Sequence, residues 1–490
     1  MKFRTGLLLG TAFVVGVVVG PTTLRLTGSG TFTSAIAREV SSHDNSAETV
    51  RLLTLLGTVM DVVRAEYVQP VTDKDLINNA LDGMVGNLDP HSSYMTAKQF
   101  HDMQTEISGK FGGLGLQVQE ESGHVRVVSP IDGTPGARAG IQPGDFITMV
   151  DHKSIDGMTL DEAVRKMRGD PGTKISLTIV RPKTGKTLTF DLTREIVHVQ
   201  IVRSALYGST GYIRLTEFDD ALESDMKAAF EKLHADAAKA HGGKLTGLIL
   251  DLRSNPGGKL DQAIAVSDDF IKDGEIVSIR GRHPENNQRW DARGTDITDG
   301  LPIVVLTNGG SASASEIVAG ALKDHRRAVI LGEKTFGKGS VQTLIPIGDQ
   351  GAVRLTTARY YTPSGRSIQG RGIVPDIAVQ ETKDDDSYGY READLTHILT
   401  NIGGNRTAET PRTDLPAIAS SIPKKPPADW PTFDLTKPAT DFQLQQAIKV
   451  VNAMAGISNP APAIAQATEV KATKPSAPAV APTKPPAEHR

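Results

Sequence analysis

The chain downstream of residue 198 alternates short apolar runs with segments of helical periodicity. Short apolar runs predict buried strands, and apolar residues that recur every three to four positions predict helices. The predicted strands cover 211–215, 248–252, 276–280 and 303–306, and the predicted helices cover 221–239, 260–271 and 315–323. This alternation is typical of an α/β sheet covered by helices, in which ligands bind at the ends of the strands.

Helical spacing also marks the segment before residue 107. Apolar residues recur on one face within 52–67 and predict a helix, and a second helix is predicted at 74–85. We assign residues 48–107 to an N-terminal helical cap. The phrase Leu-Asp-Pro-His-Ser-Ser-Tyr at 88–94 joins this cap to the next module. Because His91 stands beside an Asp-Pro pair, we expect a turn role for it rather than a catalytic one.

A pattern with period two follows the cap. Residues 112–118 read Gly-Gly-Leu-Gly-Leu-Gln-Val, valines recur within 125–128, and a Pro-Gly-Asp turn opens another apolar run at 143–150. A short helix is predicted at 160–167. Alternation of this kind predicts a small β-sheet with one buried face, and we assign residues 108–197 to this module.

The module resembles a PDZ domain in its Gly-Leu-Gly-Leu loop and in the Ala-Gly-Ile-Gln-Pro-Gly-Asp phrase at 139–145. The resemblance implies a peptide-binding loop formed by Gly113, Leu114, Gly115 and Leu116. Backbone N–H groups of that loop would receive the terminal carboxylate of a peptide, and the neighbouring strand edge would pair with the peptide. The expected partners are therefore polypeptides with free carboxyl ends.

Arg168 comes just after the predicted helix of this module, in the phrase Met-Arg-Gly-Asp-Pro-Gly at 167–172. A turn at this position could face the rest of the molecule, so Arg168 is a candidate regulatory residue that relays peptide binding to an active site. The alternative is a solvated arginine in a loop.

The amino terminus has the pattern of an export segment. Two basic residues precede an uncharged stretch at 5–24, which as a helix of about 30 Å just spans a bilayer. Residues 1–26 therefore form either a signal anchor or a signal peptide, with Ala-Ile-Ala at 35–37 as the candidate cleavage site. In both cases we expect the rest of the chain in the cell envelope, on the periplasmic side of the inner membrane. A polar linker at 27–47 follows.

The chain changes in character after residue 380. Residues 381–458 form a helical and linker region, in which apolar residues recur on one helical face within 441–455. Residues 459–490 are rich in Pro, Ala, Lys, Thr and Ser. Such a composition cannot bury enough apolar surface to fold, so we predict a disordered tail.

The composition excludes several classes of function. Cysteine is absent, which excludes thiol catalysis, paired-cysteine zinc sites and disulfides. The 12 histidines form no His-Glu-x-x-His pattern and no carboxylate-rich calcium loop occurs, so we expect neither a metal nor a cofactor. With 54 basic residues, 57 acidic residues and a net charge of −3, the chain has no electrostatic reason to bind nucleic acid.

Two glycine-rich phrases near the predicted strand ends place a serine and a lysine in turns. Residues 308–316 read Asn-Gly-Gly-Ser-Ala-Ser-Ala-Ser-Glu, and residues 335–342 read Thr-Phe-Gly-Lys-Gly-Ser-Val-Gln. A serine hydroxyl needs a base to act as a nucleophile, and a lysine can serve when burial keeps its amine neutral. The alternative is that the serines only cap the following helix and that Lys338 is a surface charge.

A third phrase supplies candidate hydrogen-bond donors. The apolar run at 247–252 leads into an Asn-Pro-Gly-Gly turn that ends at Gly258. Glycines there let the backbone approach a ligand closely. The N–H groups of this turn, together with those at the start of the helix after the serines, can form an oxyanion hole. A tight turn without a ligand is the alternative for this segment taken alone.

These three phrases, with Thr-Thr-Ala-Arg-Tyr-Tyr-Thr-Pro-Ser-Gly at 356–365 and Gly-Ile-Val-Pro-Asp at 372–376, resemble the carboxyl-terminal processing peptidases, also called tail-specific proteases. The resemblance covers roughly residues 48–380. It implies a multidomain α/β fold, with a ClpP/crotonase-like catalytic core at 198–380, a PDZ domain, and helical N- and C-terminal segments.

The resemblance also implies roles for individual residues. Ser313 would be the nucleophile, Lys338 its base, and Gln342 the residue that orients the lysine. The implied oxyanion donors are the backbone N–H groups of Ala314 and of either Gly257 or Gly258. Terminal helices like the one predicted at 441–455 help to form dimers in the family, so we expect a homo-oligomer, a dimer.

The expected function is that of a serine endopeptidase that recognises the C-terminal segments of envelope proteins and cleaves the polypeptide, with or without an adaptor protein. One alternative is a non-catalytic PDZ scaffold, which the presence of both Ser313 and Lys338 disfavours. The other is a crotonase-type acyl-CoA enzyme, which the export segment and the PDZ-like insertion disfavour.

Overall fold

The computed structural model describes residues 46–107, 111–121, 123–131, 133–182, 184–197, 201–241, 243–383, 390–401, 412–433, 437–457 and 468–469. The predicted export segment and its candidate cleavage site lie outside these residues. Within the described ranges, none of the helices combines the length and the apolar character needed to cross a membrane.

A seven-stranded sheet forms the centre of the C-terminal half. Its strands, in spatial order, are β19 (Ile377–Ala378), β16 (Val329–Gly332), β15 (Ile303–Thr307), β12 (Gly247–Asp251), β11 (Thr210–Leu215), β10 (Val202–Tyr207) and β20 (Thr468–Glu469). Neighbours from β11 to β19 are parallel, and β10 is antiparallel to both of its neighbours. Strands of a parallel sheet are buried on both faces, which explains the continuous apolar runs.

Strand β20 lies inside the segment that the sequence predicts to be disordered. Thr468 pairs with Leu206 and Glu469 with Ala205, at the outer edge of β10. An edge strand offers unpaired backbone N–H and C=O groups, which can pair with an extended segment whatever its side chains. The composition of the tail therefore did not reveal this pairing.

Successive side chains of the central strands point to opposite faces of this sheet. Leu248 and Leu250 of β12 are buried on one face, and Ile249 is buried on the other. The first face is covered by helices α6 (Leu222–His241), α7 (Leu260–Asp268) and α8 (Ala314–Asp324), and the second by α9 (Phe442–Met454). The sheet is thus the middle of three layers.

The apolar face of α9 is occupied within the chain. Leu444, Ile448 and Val451 are buried against the second face of the sheet. An amphipathic pattern predicts that a helix buries one face, but not which surface covers it. The helix at 441–455 was predicted correctly, but its apolar face is not available for the expected dimer contact.

A second sheet of the core is antiparallel. It comprises β1 (Ser93–Thr96), β18 (Gly351–Tyr361), β13 (Glu275–Gly281) and β14 (Gln288–Asp291), with β17 (Ser340–Pro346) also paired to β18. The run at 276–280 therefore belongs to this sheet and not to the parallel sheet, because periodicity identifies a strand but not its partner. Lys338 lies just before β17, and Gln342 lies within it.

The PDZ-like module has its own sheet and core. The strands are β3 (Leu116–Glu121), β4 (His124–Pro130), β5 (Phe146–Val150), β6 (Lys153–Ser154), β7 (Lys174–Arg181) and β8 (Lys186–Thr193), and the helices are α4 (Pro135–Arg138) and α5 (Leu160–Met167). Thr159 and Glu162 form a capping box that starts α5.

A two-stranded ribbon joins this module to the rest of the chain. Strand β2 (Phe111–Gly113) enters the module and pairs antiparallel with β9 (Glu195–Val197), which leaves it. Beside this ribbon, the buried Arg194 donates hydrogen bonds to the backbone oxygens of Met167 (3.0 Å) and Lys166 (3.1 Å). The end of α5 is therefore fixed to the ribbon.

The N-terminal cap consists of helices α1 (Ser46–Glu66), α2 (Asp73–Gly86) and α3 (Ala97–Ile107). Thr72 accepts a hydrogen bond from the backbone of Asp75 and so begins α2 one residue before the predicted start. Helix α1 keeps large apolar side chains exposed, among them Leu53 and Leu55. Strand β1 extends the cap into the second sheet of the core, where Ser93 pairs with Arg354.

A buried ionic network fixes the turn after β12. Arg253, 1% exposed, donates to Asp251 (2.6 Å) and to Asp441 (2.7 Å), which is the N-cap of α9. Burial raises the pKa of Asp251, but Arg253 and Arg214 outweigh burial and lower this pKa to about 2. Buried charges are tolerated when they are paired in this way. The network holds the backbone from which Gly257 and Gly258 follow.

Candidate active site

Ser313 occupies the turn between β15 and α8. Its φ of 54° and ψ of −111° lie outside the regions that residues with a Cβ usually adopt. The residue is 1% exposed, and its Oγ has no hydrogen-bond partner among the described residues. A strained backbone and an unpaired buried hydroxyl are typical of functional sites, and they argue against a role limited to helix capping.

Glu316 connects the serine turn to the lysine turn. One carboxylate oxygen accepts the backbone N–H groups of both Ser313 and Lys338, each at 2.9 Å, so the two nitrogens lie at most twice that distance apart. The other oxygen accepts the hydroxyl of Thr335 and the N–H of Gly337. Burial raises the pKa of Glu316 to about 7, although these hydrogen bonds act in the opposite direction.

Lys338 is buried beside the Glu316 carboxylate. The residue is 1% exposed, and its Nζ has no hydrogen-bond partner among the described residues. Burial, and then the positive charge of Arg354, lower the pKa of Lys338 to about 8, against the opposing effect of nearby carboxylates. An amine with this pKa is partly neutral near neutral pH, which a general base requires. The surface-charge alternative for Lys338 is therefore wrong.

Gln342 lies in the same buried region, but its amide is directed elsewhere. Its Nε2 donates to Ser340 Oγ and to Thr356 Oγ1, both at 3.0 Å, and its Oε1 has no partner among the described residues. No hydrogen bond joins Gln342 to Lys338, or Ser313 Oγ to Lys338 Nζ, in this part of the chain. Catalytic hydrogen bonds are often absent before substrate binds.

The two glycines after β12 differ in their surroundings. Gly257 has φ 103°, its N–H donates to Asn255 Oδ1 at 2.9 Å, and a Cβ there would lie 2.9 Å from Ala314 N. Gly258 has φ 143°, and a Cβ there would lie 2.3 Å from Phe218 O. The turn is therefore pressed against Ser313 and Ala314. Because the Gly257 N–H is already engaged, Gly258 is the better candidate partner for Ala314 in an oxyanion hole.

The peptide-binding loop of the PDZ-like module directs its carbonyl groups inward. The Leu114 carbonyl accepts the N–H of Gly136, and the Gly115 carbonyl accepts the N–H of Ile131, both at 2.8 Å. In a trans peptide the N–H points away from the preceding C=O. The N–H groups of Gly115 and Leu116 therefore point away from the domain, as a carboxylate-binding loop requires.

Arg168 is exposed at the end of α5. Its backbone N–H bonds to Val164, and the next residue, Gly169, donates to the carbonyl of Gly112 in strand β2 at 3.1 Å. A Cβ at Gly112 would lie 2.1 Å from the Gly169 carbonyl oxygen. Arg168 therefore stands where the PDZ-like module meets the ribbon that leads to the core.

Two features of this region were not predicted from the sequence. His91 is not a simple turn residue, because it is buried and its Nε2 lies 2.9 Å from Glu392. The second feature is Glu316. Ser-x-x-Glu is the spacing of a capping box, which marks a carboxylate that can reach back to the turn. Here that carboxylate binds the lysine turn as well.

Family models match three parts of the chain. Peptidase family S41 matches residues 209–379, a PDZ domain matches residues 126–181, and the activating protease CtpB N-terminal domain matches residues 22–99. The core, the PDZ-like module and the N-terminal cap are each matched by one of these family models. Together they define a serine peptidase that carries a PDZ domain.

Curated relatives agree with this class. A carboxy-terminal-processing protease of Bartonella bacilliformis is 47% identical over 405 residues, which cover 82% of this chain and 92% of the relative. A probable CtpA-like serine protease of Staphylococcus aureus is 37% identical over 68% of this chain and 65% of its own length. The solved photosystem II D1 C-terminal processing protease is 29% identical over 66% of this chain and 86% of its own, with a TM-score of 0.41. The chain belongs to the carboxyl-terminal processing peptidases of family S41.

Proposed function

We propose that the chain is an endopeptidase that works with a Ser313–Lys338 pair and recognises the free carboxyl ends of envelope proteins through its PDZ domain. The main support is the Glu316 carboxylate, which holds the serine and lysine turns together, while Ser313 Oγ and Lys338 Nζ are buried without a hydrogen-bond partner in the described part of the chain. Family membership favours this activity over the scaffold and the acyl-CoA alternatives.

In the proposed reaction, Ser313 Oγ bonds to the carbonyl carbon of the scissile peptide and its proton passes to Lys338 Nζ. The N–H groups of Ala314 and Gly258 stabilise the oxyanion. Lys338 then gives the proton to the leaving amine, and water hydrolyses the acyl-enzyme by the same route. No hydrogen bond joins the two side chains among the described residues, and we expect substrate binding to bring Nζ within reach of Oγ.

The reaction rate should depend on pH through Lys338. Its pKa of about 8 is below the usual lysine value, and only the neutral amine can accept the serine proton. We expect kcat/KM to rise about tenfold per pH unit below pH 8 and to level off above it. Initial rates on an unfolded substrate give this profile. A profile that is flat from about pH 6 to 9 would contradict the role of the lysine.

Recognition of the substrate terminus is proposed to involve Gly113, Leu114, Gly115 and Leu116. Amidating the terminus of an unfolded peptide should lower kcat/KM by roughly tenfold or more, because charge-assisted hydrogen bonds to the loop are lost. The full chain is assayed on matched free and amidated peptides, with Ser313→Ala as the blank. Equal rates on both peptides would remove the proposed recognition.

The same assay tests Arg168 as a regulatory relay. We expect Arg168→Ala to lower the rate on the free peptide more than on the amidated one. Arg165→Ala, an exposed arginine of the same helix, is the matched control and should leave both rates unchanged. Equal losses of Arg168→Ala on both peptides would rule out a relay.

Location and assembly are further parts of the proposal. The export pattern at 1–26 supports the periplasmic side of the inner membrane, whether as an anchor or as a removed signal. We infer that the enzyme forms a homo-oligomer through α1, where Leu52, Leu53, Leu55 and Leu56 are exposed. Exposed apolar stripes of this kind mark protein–protein contacts.

A further inference from the structure

The loop between α2 and β1, residues 87–92, reaches from the cap into the core; we refer to it as the cap loop. Three of its side chains, Asp89, His91 and Ser92, are buried. We propose that Asp89 and His91 are positioning residues for the catalytic lysine, a role that rests on the proposed function of the Ser313–Lys338 pair.

The first connection runs through Asp89. Its Oδ1 accepts the hydroxyl of Thr356 at 2.9 Å, and Thr356 Oγ1 in turn accepts Gln342 Nε2 at 3.0 Å. Ser92 adds a second attachment, since its Oγ donates to Asp89 Oδ2 and accepts the Thr356 N–H. The cap loop thereby fixes the amide of Gln342.

The second connection runs through His91. Its Nε2 lies 3.0 and 2.9 Å from the two carboxylate oxygens of Glu392, which is fully buried. Glu392 accepts Gln369 Nε2 at 2.7 Å, and Gln369 Oε1 accepts the N–H of Gly339 at 3.0 Å. Gly339 follows Lys338 directly in the chain.

The lysine turn packs directly against this second connection. A Cβ at Gly339 would lie 2.3 Å from the backbone nitrogen of Gln369, so the two segments are in direct contact. On the other side of Lys338, Glu316 holds the Lys338 N–H. The backbone is therefore held by hydrogen bonds at Lys338, to Glu316, and at Gly339, to Gln369. The second of these attachments is connected to the cap loop.

Charge also links the cap loop to the lysine. Burial and Arg354 lower the pKa of Lys338, whereas Glu392, Glu316 and Asp89 raise it. Removing the negative charge of Asp89 should therefore lower the pKa of Lys338 and move the acid limb of the pH profile to lower pH. A contact that only attached the cap to the core would leave that limb in place.

Three substitutions separate geometry from charge. His91→Leu removes one of the partners of the buried Glu392 carboxylate, and misplacement of the lysine turn should lower kcat by roughly 10²-fold at unchanged KM. His91→Gln keeps a side-chain donor for Glu392 and should restore most of kcat. Asp89→Asn keeps the shape and one acceptor oxygen, and should shift the acid limb of kcat to lower pH.

The matched control is His325→Leu. His325 lies at the far end of α8 and bonds to the Glu275 carbonyl at 2.7 Å. This variant should lose thermal stability but keep the wild-type kcat and pH limb. All variants are made in the full chain and assayed on the same unfolded substrate, with Tm from circular dichroism. If His91→Leu does not fold, His91→Asn, which is too short to reach Glu392, replaces it.

The outcomes are distinct. Wild-type kcat in a folded His91→Leu overturns the role of His91, and an unmoved acid limb in Asp89→Asn overturns the role of Asp89. If Lys338→Ala is itself active, the proposed catalytic pair fails. If Lys338→Ala is inactive while both cap-loop variants behave as wild type, only the inference about the cap loop fails.

Discussion

Alanine at Lys338 is expected to lower kcat as far as alanine at Ser313, by roughly 10⁴-fold or more, and the double variant is expected to lose no more than either single variant. The reason is that hydroxyl and amine act as one unit: without the base the hydroxyl keeps its proton, and without the hydroxyl the base has no proton to accept. Long incubations with an unfolded substrate, in which the released product is quantified, allow rates this low to be measured.

Lys323 offers a matched control for this comparison. It is also a largely buried lysine, and its Nζ donates to the Val374 carbonyl at 2.6 Å. Lys323→Ala should lower Tm but retain kcat. Full hydrolysis by Lys338→Ala, or losses that multiply in the double variant, would show that the two groups do not act together.

Glutamine at Glu316 is expected to lower kcat by roughly 10²-fold and to destabilise the fold by about 1–3 kcal/mol. Each carboxylate oxygen accepts two donors, whereas an amide has only one acceptor oxygen. Two of the four donors would face an N–H₂ group, and the serine and lysine turns would separate. Steady-state kinetics and urea unfolding measure the two effects.

The control for Glu316 is Glu333→Gln, which alters a partly buried carboxylate that accepts the Glu381 N–H at 3.0 Å. This variant should keep kcat. Because the charge of Glu316 raises the pKa of Lys338, the Glu316→Gln variant should also move the acid limb of the pH profile to lower pH. Wild-type kcat in Glu316→Gln would mean that the hydrogen bonds of the Glu316 carboxylate to the serine and lysine turns are not needed for catalysis.

The strands and turns that carry the site were predictable because local pattern specifies them. The run at 247–252 is buried on both faces, and a glycine pair at its end marks a close approach of two backbones. Family resemblance then assigned Ser313 and Lys338 to the same chemistry. The geometry places both in one buried region, although it leaves the hydroxyl and the amine without a bond between them.

The surroundings of the lysine were not predictable in the same way. His91 and Glu392 are 301 positions apart, and no periodicity relates them. The neighbours of His91 in the chain, Asp-Pro, favour a turn, whereas its contact with Glu392 depends on a segment beyond the core. Likewise the apolar face of α9 indicated burial, but only the fold shows that the covering surface is the chain's own sheet.

The PDZ domain is an insertion, and the chain enters and leaves it through the paired strands β2 and β9. Gly113 and Glu195 are cross-strand partners, so the two ends of the segment between them lie side by side. Exchanging that stretch for the equivalent stretch of a relative would alter which polypeptide ends are captured, while the machinery that cuts them stays intact. The substrate specificity of such an enzyme can therefore change in evolution without any change in its catalytic residues.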